Sequence, residues 1–123
     1  MDKTPEFFFE LSLESLKDSK IAIENGRYRM AENRSYYAVF YAAEALLLKK
    51  GISNKTHAGT ISKFGLEYVV KENFNSEIAK FISNLEEARS KVDYGYVPEV
   101  SEDKAIKDYR KAEKFIEECK KFL

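Results

Sequence analysis

The sequence predicts an all-α protein, an up-and-down antiparallel helical bundle of four long helices plus one shorter helix. Apolar residues recur at helical spacing, no segment alternates as a strand does, and short breaks containing glycine, proline or polar residues separate the segments. Connections this short make neighbouring helices pack antiparallel. The predicted helices cover about residues 5–25, 28–49, 57–71 (the shorter one), 76–93 and 101–123.

The ends of these segments carry ordinary helix signals. Pro5 suits a first helical turn, and Gly26 is a natural stop for the first helix. Ser101 is placed to cap the last helix, because Glu102 and Asp103 follow it where acidic side chains favour the helix dipole.

Length and composition restrict the function. The 123 residues predict a single domain, and the 21 basic and 21 acidic residues cancel, so any contact with RNA is expected to be local. One cysteine and one histidine do not make a zinc pattern, so neither a metal nor a cofactor is expected. The start lacks a signal peptide pattern, and the most apolar stretch, 36–48, is too short for a membrane span. A cytoplasmic protein is expected.

The fourth helix carries a charge close to the middle of its apolar stripe. Arg89 follows Leu85 by one turn, and a guanidinium there needs a partner because it cannot lose its charge. Two interpretations are open. The simpler is an ion pair of Arg89 with Asp93, and the sharper is a polar site built into an apolar contact face. The stripe consists of Ile78, Phe81, Ile82, Leu85, Ala88 and Val92.

The second helix is apolar on nearly every side, which predicts the central helix of the bundle or a helix that faces a second subunit. One face holds Tyr36, Val39, Phe40, Ala43, Leu46 and Leu47. On a second face Arg34 flanks Tyr37 and Tyr41, and buried tyrosine hydroxyls need partners, so these three are a candidate polar network.

Three segments in series resemble the HEPN family, in its short prokaryotic branch (UPF0332-like). They are RSYYAVFYAA at 34–43, KTHAG at 55–59 and ARSKVDYGY at 88–96, and together they span almost the whole chain. The resemblance implies a helical bundle that forms a homodimer, with its site at the dimer cleft.

Ribonuclease and toxin members of that family carry an arginine, four to six variable residues, a histidine and often a tyrosine two residues later. Arg89 matches the arginine and Tyr96 the tyrosine, but Tyr94 stands where the histidine would be. Tyrosine, with a pKa of about 10, is a poor base at neutral pH. His57 is the remaining candidate, and its place at the start of the third helix fits a hydrogen-bonding role better than catalysis.

Three functions follow from the resemblance. In the first, the chain is the partner of a minimal nucleotidyltransferase in a toxin–antitoxin-like pair, binds a nucleotide or RNA, and offers Tyr96 as a modification acceptor. In the second, it is a metal-independent ribonuclease that uses Arg89 with Tyr94 or His57. The third is a non-catalytic interaction scaffold. The missing histidine favours the first over the second, and weak or no ribonuclease activity is expected.

Overall fold

An all-α fold is confirmed by the structure, a computed structural model that describes residues 3–95 and 99–123 and has no strand within them. The helices are α1 (Pro5–Glu24), α2 (Tyr28–Lys49), α3 (His57–Phe64), α4 (Ser76–Asp93) and α5 (Glu102–Lys120). The predicted first, second and fourth helices match these to within one residue. The fifth ends three residues earlier than predicted, and Ser101 caps it as expected. None of the five is both long and apolar enough to cross a bilayer.

The predicted third helix differs from the structure in its second half. After α3 the chain continues as a π-helical segment, Gly65–Val70, rather than as an α-helix. The Lys50 ammonium donates to the Glu67 carbonyl at 2.8 Å, and the Tyr68 hydroxyl donates to the Leu46 carbonyl. Leu46 lies in α2 and Lys50 caps its C-terminal end. The contacts that accompany the wider π-helical turn are therefore tertiary, and the local sequence pattern does not predict them.

Small side chains let α1 and α2 pack closely. The Ser12 hydroxyl donates to the Ala38 carbonyl at 2.6 Å, and the Ser19 hydroxyl donates to the Ala31 carbonyl at 3.0 Å. From the first contact to the second, the residue number rises in α1 and falls in α2, so the two helices are antiparallel. All the buried residues of α1 are small: Ser12, Ser15, Ser19 and Ala22.

Helix α2 is the centre of the bundle, as one of its two predicted roles requires. It contacts α1, α3, α4 and α5, and twelve of its 22 residues are buried within the single chain. Arg29 donates to the Val92 carbonyl of α4, and Lys49 donates to the Phe122 carbonyl beyond α5. The largest buried apolar side chains are Tyr36, Phe64, Phe74, Phe115, Leu46, Leu47, Leu85 and Ile116.

Two carboxyl groups are buried together between α2 and α5. Glu32 is 1% exposed and Asp108 0%, and only Asp108 has cationic partners, Lys104 and, at 4.0 Å, Lys111. Burial first, and then the hydrogen bond and charge of Asp108, raise the pKa of Glu32 well above its usual range. Glu32 is therefore mostly protonated at neutral pH, so that it does not place a second negative charge beside Asp108.

We expect Glu32→Gln to stabilise the protein increasingly as the pH rises. In the unfolded chain Glu32 loses its proton near its ordinary pKa, about 4.3, whereas the fold retains that proton. The free energy of unfolding therefore falls through this window, by up to about 1.4 kcal/mol per pH unit. Glutamine resembles the protonated acid and does not titrate. Thermal melts at pH 5 to 8 should show a melting-temperature gain that grows with pH.

The matched control for this prediction is Glu87→Gln, because Glu87 is exposed on α4. Its effect on the melting temperature should be small and should not depend on pH in this way. A Glu32→Gln difference that stayed constant from pH 5 to 8 would contradict the buried, protonated carboxyl.

Candidate functional site

The guanidinium of Arg89 lies against aromatic rings of α2. The Arg89 side chain is 12% exposed, and its Cζ lies 4.7 Å from the Tyr36 ring centroid and 5.8 Å from that of Tyr37. Both distances allow cation–π attraction. Arg89 thus sits between α4 and α2 rather than on an exposed edge of the bundle.

Two carboxylates of α4 hold this guanidinium. Nη2 of Arg89 donates to both oxygens of Glu86, at 2.7 and 2.9 Å, and Nη1 donates to Asp93 at 3.3 Å. Burial acts to lower the pKa of Arg89, but the hydrogen bonds and charge of Glu86, aided by Asp93, outweigh it and raise that pKa. The buried Nε atom has no hydrogen-bond partner among the described residues. The expected Arg89–Asp93 pair is present, and Glu86 is the closer partner.

His57, the first residue of α3, reaches the same place from the other side. Its Nδ1 atom lies 3.0 Å from the Tyr36 hydroxyl, 3.5 Å from Nη2 of Arg89 and 4.0 Å from a Glu86 oxygen. Arginine can only donate, so an Nδ1 atom that accepts from Arg89 belongs to the His57 tautomer whose proton lies on Nε2. Tyr36, His57, Glu86 and Arg89 form what we call the Arg89 cluster.

Tyr36 is locked as a hydrogen-bond donor within this cluster. Burial, and secondarily the Glu86 carboxylate, raise the pKa of Tyr36 above its ordinary value. The hydroxyl therefore stays protonated and donates to His57. The imidazole ring also packs 4.3 Å from the Phe40 ring, centroid to centroid, which orients it further. The His57 side chain nevertheless remains 39% exposed, so a ligand can reach it.

Arg34 extends the charged region along α2. Its Cζ lies 5.1 Å from the Tyr37 ring centroid, and its nitrogens donate to the Asn33 side chain at 2.9 and 3.1 Å. Asn33 in turn donates to Asp93 at 3.2 Å. Tyr37 thus has Arg34 on one side and Arg89 on the other.

The expected network of Arg34 with both tyrosine hydroxyls does not form. Arg34 meets the face of the Tyr37 ring, and Tyr41 lies two helical turns further along α2 than Arg34. Tyr41 packs instead with Tyr37, at 5.7 Å between ring centroids, and with Phe8, at 6.4 Å. The aromatic contacts continue away from the Arg89 cluster toward α1.

Of the predicted pattern of Arg89, Tyr94 and Tyr96, the structure describes Arg89 and Tyr94, and these two residues do not contact each other. Tyr94 ends α4 with its side chain 70% exposed, and no hydrogen bond or ring contact joins it to Arg89 within the described part of the chain. Tyr94 lies more than one helical turn beyond Arg89, so it points to solvent instead of toward α2. Tyr96 lies outside the described residues.

Sequence reasoning missed Glu86 and the inward role of Tyr36. Glu86 precedes Arg89 by three residues, a spacing that brings side chains together on a helix, and this signal was available. Tyr36 was assigned to the core face only. Its contact with His57 depends on how α3 docks on α2, which no local spacing reports.

The Arg89 cluster has the groups that phosphate chemistry uses, but neighbouring carboxylates neutralise its positive charge. A guanidinium can stabilise phosphate charge, and a neighbouring imidazole can move a proton. Here Glu86 and Asp93 balance the charges of Arg34 and Arg89, so an incoming phosphate has to replace a carboxylate. The described residues contain no group of three or more side chains suited to hold a metal ion.

The Glu86–Arg89 pair should couple more strongly than an exposed pair on the same helix. We expect a double-mutant cycle of Glu86→Gln and Arg89→Met to give a coupling energy of about 1–2 kcal/mol, because Nη2 of Arg89 contacts both Glu86 oxygens and the pair is largely shielded from water. Glu77 and Lys80 are the matched control, with the same spacing on α4 but 80% and 69% exposed side chains. Denaturant unfolding measures both cycles. Equal coupling energies would contradict a shielded Arg89.

Comparison with known proteins agrees with this architecture. The family model of the HEPN domain matches residues 5–122. A "UPF0332 protein" of Thermotoga maritima is 38% identical over 99% of this chain and 92% of its own length. In Methanocaldococcus jannaschii, "Putative toxin MJ0605" is 41% identical over 93% of this chain and 84% of its own, and "Putative toxin MJ0142" is 30% identical over 96% and 80%. The chain belongs to the HEPN family.

Proposed function

We propose that this HEPN protein is the helical member of a toxin–antitoxin-like pair whose other member is a minimal nucleotidyltransferase. In this proposal the Arg89 cluster binds the phosphate of a nucleotide or an RNA, at a cleft between two copies of the chain. The observation that carries the proposal is the convergence of Arg89 of α4 and His57 of α3, whose Nη2 and Nδ1 atoms lie 3.5 Å apart.

The environment of Arg89 explains why a partner is needed. Its guanidinium is already bonded to Glu86 and Asp93, so the isolated chain offers phosphate little net attraction. A second charged surface, from another copy or from another protein, can shift that balance toward an anionic ligand. The half-exposed His57 keeps one side of the cluster open for such an approach.

The relatives support the toxin–antitoxin part of the proposal. Two proteins that align over most of this chain carry toxin names. The aromatic residues Phe8, Tyr37 and Tyr41 are only half-buried beside the Arg89 cluster, and a second copy packed there would bury them. This is the surface that we assign to the homodimer.

Tyr96 is the proposed acceptor of a nucleotide from the transferase. It occupies the position of the trailing tyrosine in the family pattern, seven residues after Arg89. A nucleoside monophosphate attached there adds negative charge a short distance along the chain from Arg89. Such charge favours a new contact with a guanidinium.

Co-expression with a minimal nucleotidyltransferase from the same genome tests the proposal. We expect the two proteins to co-purify, and mass spectrometry to find a nucleoside monophosphate on the peptide that contains Tyr96. Light scattering of the complex should show two copies of the 14.3-kDa HEPN chain. Tyr96→Phe is the control, since it should abolish the modification without preventing association. An unmodified peptide together with no association would contradict the proposal.

A ribonuclease is the second candidate, because His57 lies beside Arg89 although it is distant in the sequence. Cleavage requires a histidine near an arginine. Here the histidine is His57, and Tyr94 occupies the position where the family pattern has it. Against cleavage stands the hydrogen bond of Nδ1 with Tyr36, which leaves Nε2, a proton donor in the neutral ring, as the free nitrogen.

The purified protein should cleave RNA weakly or not at all when EDTA is present. Tyr94 is exposed and separate from Arg89, and Nδ1 of His57 is occupied by its contact with the Tyr36 hydroxyl. The measurement is incubation with total RNA followed by gel analysis. Strong cleavage that disappears in both Arg89→Gln and His57→Gln, but persists in Tyr94→Phe, would favour the ribonuclease instead.

A further inference from the structure

The exposed face of α2 carries six side chains that follow one another at alternating intervals of four and three residues. These intervals are those of the contact seam of a coiled coil, in which each such position faces a second helix. No side chain of the set is fully buried within the single chain, and Met30 is 59% exposed. We call the set the α2 stripe: Met30, Arg34, Tyr37, Tyr41, Glu44 and Leu48.

The chemistry of the α2 stripe is symmetric about its midpoint. An apolar residue stands at each end, a charged residue comes next on each side, and two tyrosines lie in the middle. If a two-fold axis lays the stripe antiparallel on itself, apolar ends meet apolar ends and tyrosines meet tyrosines. The same operation places Arg34 opposite Glu44 of the second copy, and it does so twice.

These two opposite charges lack a counter-ion within the described part of the chain. Arg34 donates there only to the Asn33 side chain and lies against the Tyr37 ring. Glu44 forms no ion pair with the described residues, and burial raises the pKa of its carboxyl although the charge of Lys3 acts against this. Ten residues of α-helix, about 15 Å, separate Arg34 from Glu44, so they cannot pair within one chain. Each charge therefore favours a partner of opposite sign outside its own chain.

The charges also select the direction in which two such helices meet. In a parallel pair, Arg34 would lie beside Arg34 of the second copy and Glu44 beside Glu44. Like charges held together in this way repel, and the antiparallel pair replaces both repulsions with attractions. A charged residue in a coiled-coil seam is a known means of specifying how the helices align.

We propose that the α2 stripes of two copies of this chain pack antiparallel about a two-fold axis, with Arg34 of each copy paired with Glu44 of the other. This inference rests on the homodimer of the proposed function and names the helix, the direction and the ion pairs that hold it. Phe8 of α1 borders the stripe, with its ring 6.4 Å from that of Tyr41, and is covered as well. Tyr37 lies at the centre of the interface and contacts Arg89 of its own copy, so the two Arg89 clusters flank the contact.

Charge reversal at the two positions tests the pairing by light scattering at micromolar concentration. The wild type should have the mass of two 14.3-kDa chains. Arg34→Glu and Glu44→Arg should each weaken dimerisation about a hundredfold or more, because each puts like charges together twice. An equimolar mixture of the two variants should form a heterodimer, since both ion pairs are then restored with reversed sign. The double variant Arg34→Glu, Glu44→Arg should dimerise with itself for the same reason.

The matched controls are Lys114→Glu and Glu113→Arg, exposed positions of α5 that lie off the stripe. They carry the same changes of charge and should remain dimers. Circular dichroism checks that each variant keeps its helices. Arg34→Gln and Glu44→Gln, which remove a charge without adding a repulsion, should still weaken dimerisation if a reversal unfolds the chain.

Two results would overturn the pairing. Folded single variants that dimerise as the wild type does would place the contact between copies elsewhere, and would leave the proposed toxin–antitoxin function untouched. Folded single variants that do not recover the dimer on mixing would mean that Arg34 and Glu44 act separately. Loss of transferase association with the pairing intact would contradict the proposed function alone, and a monomeric wild type would contradict both homodimer statements.

Discussion

The burial of α2 on several sides is the constraint on which the rest of the structure depends. The polar side chains on the buried part of α2 are shielded from solvent by the helices packed against it, so those helices have to satisfy them. Ser35 bonds to Ser19 of α1 at 2.8 Å, Tyr36 to His57 of α3, and Glu32 meets Asp108 of α5. Each of these three buried polar residues of α2 therefore favours one position of a neighbouring helix.

The burial of α2 affects helix α4 in two ways, one on each side of α4. On one side Arg89 is inserted against the rings of α2 and is neutralised by carboxylates from its own helix. On the other side Ala88 and Val92 are too small to fill the space toward α5, and a cavity remains. The same helix thus carries a charged cluster and a separate apolar cavity, and the burial of α2 determines the inner wall of both.

Helical periodicity explains why so much of the fold was predictable. The stripe on α4 and the all-round apolar character of α2 depend only on residue spacing. They left two roles open for each, and the structure has α2 at the centre of the bundle and the Arg89 side chain only 12% exposed. The face of α1 was not predictable in this way, because it packs through serines rather than large apolar residues. The π-helical turn after α3 was not predictable for a related reason, because its partners Lys50 and Leu46 come from elsewhere in the chain.

The sequence by itself determined the helices, their order and the family resemblance, because capping, periodicity and motif spacing are local properties. It also identified Arg89 as a charge that needs partners. Only the tertiary structure decided which partners Arg89 has: it added Glu86, brought His57 to the cluster and left Tyr94 in solvent. It likewise placed Glu32 at a cavity. Such contacts depend on how helices dock, and docking depends on side-chain volumes summed over the whole core.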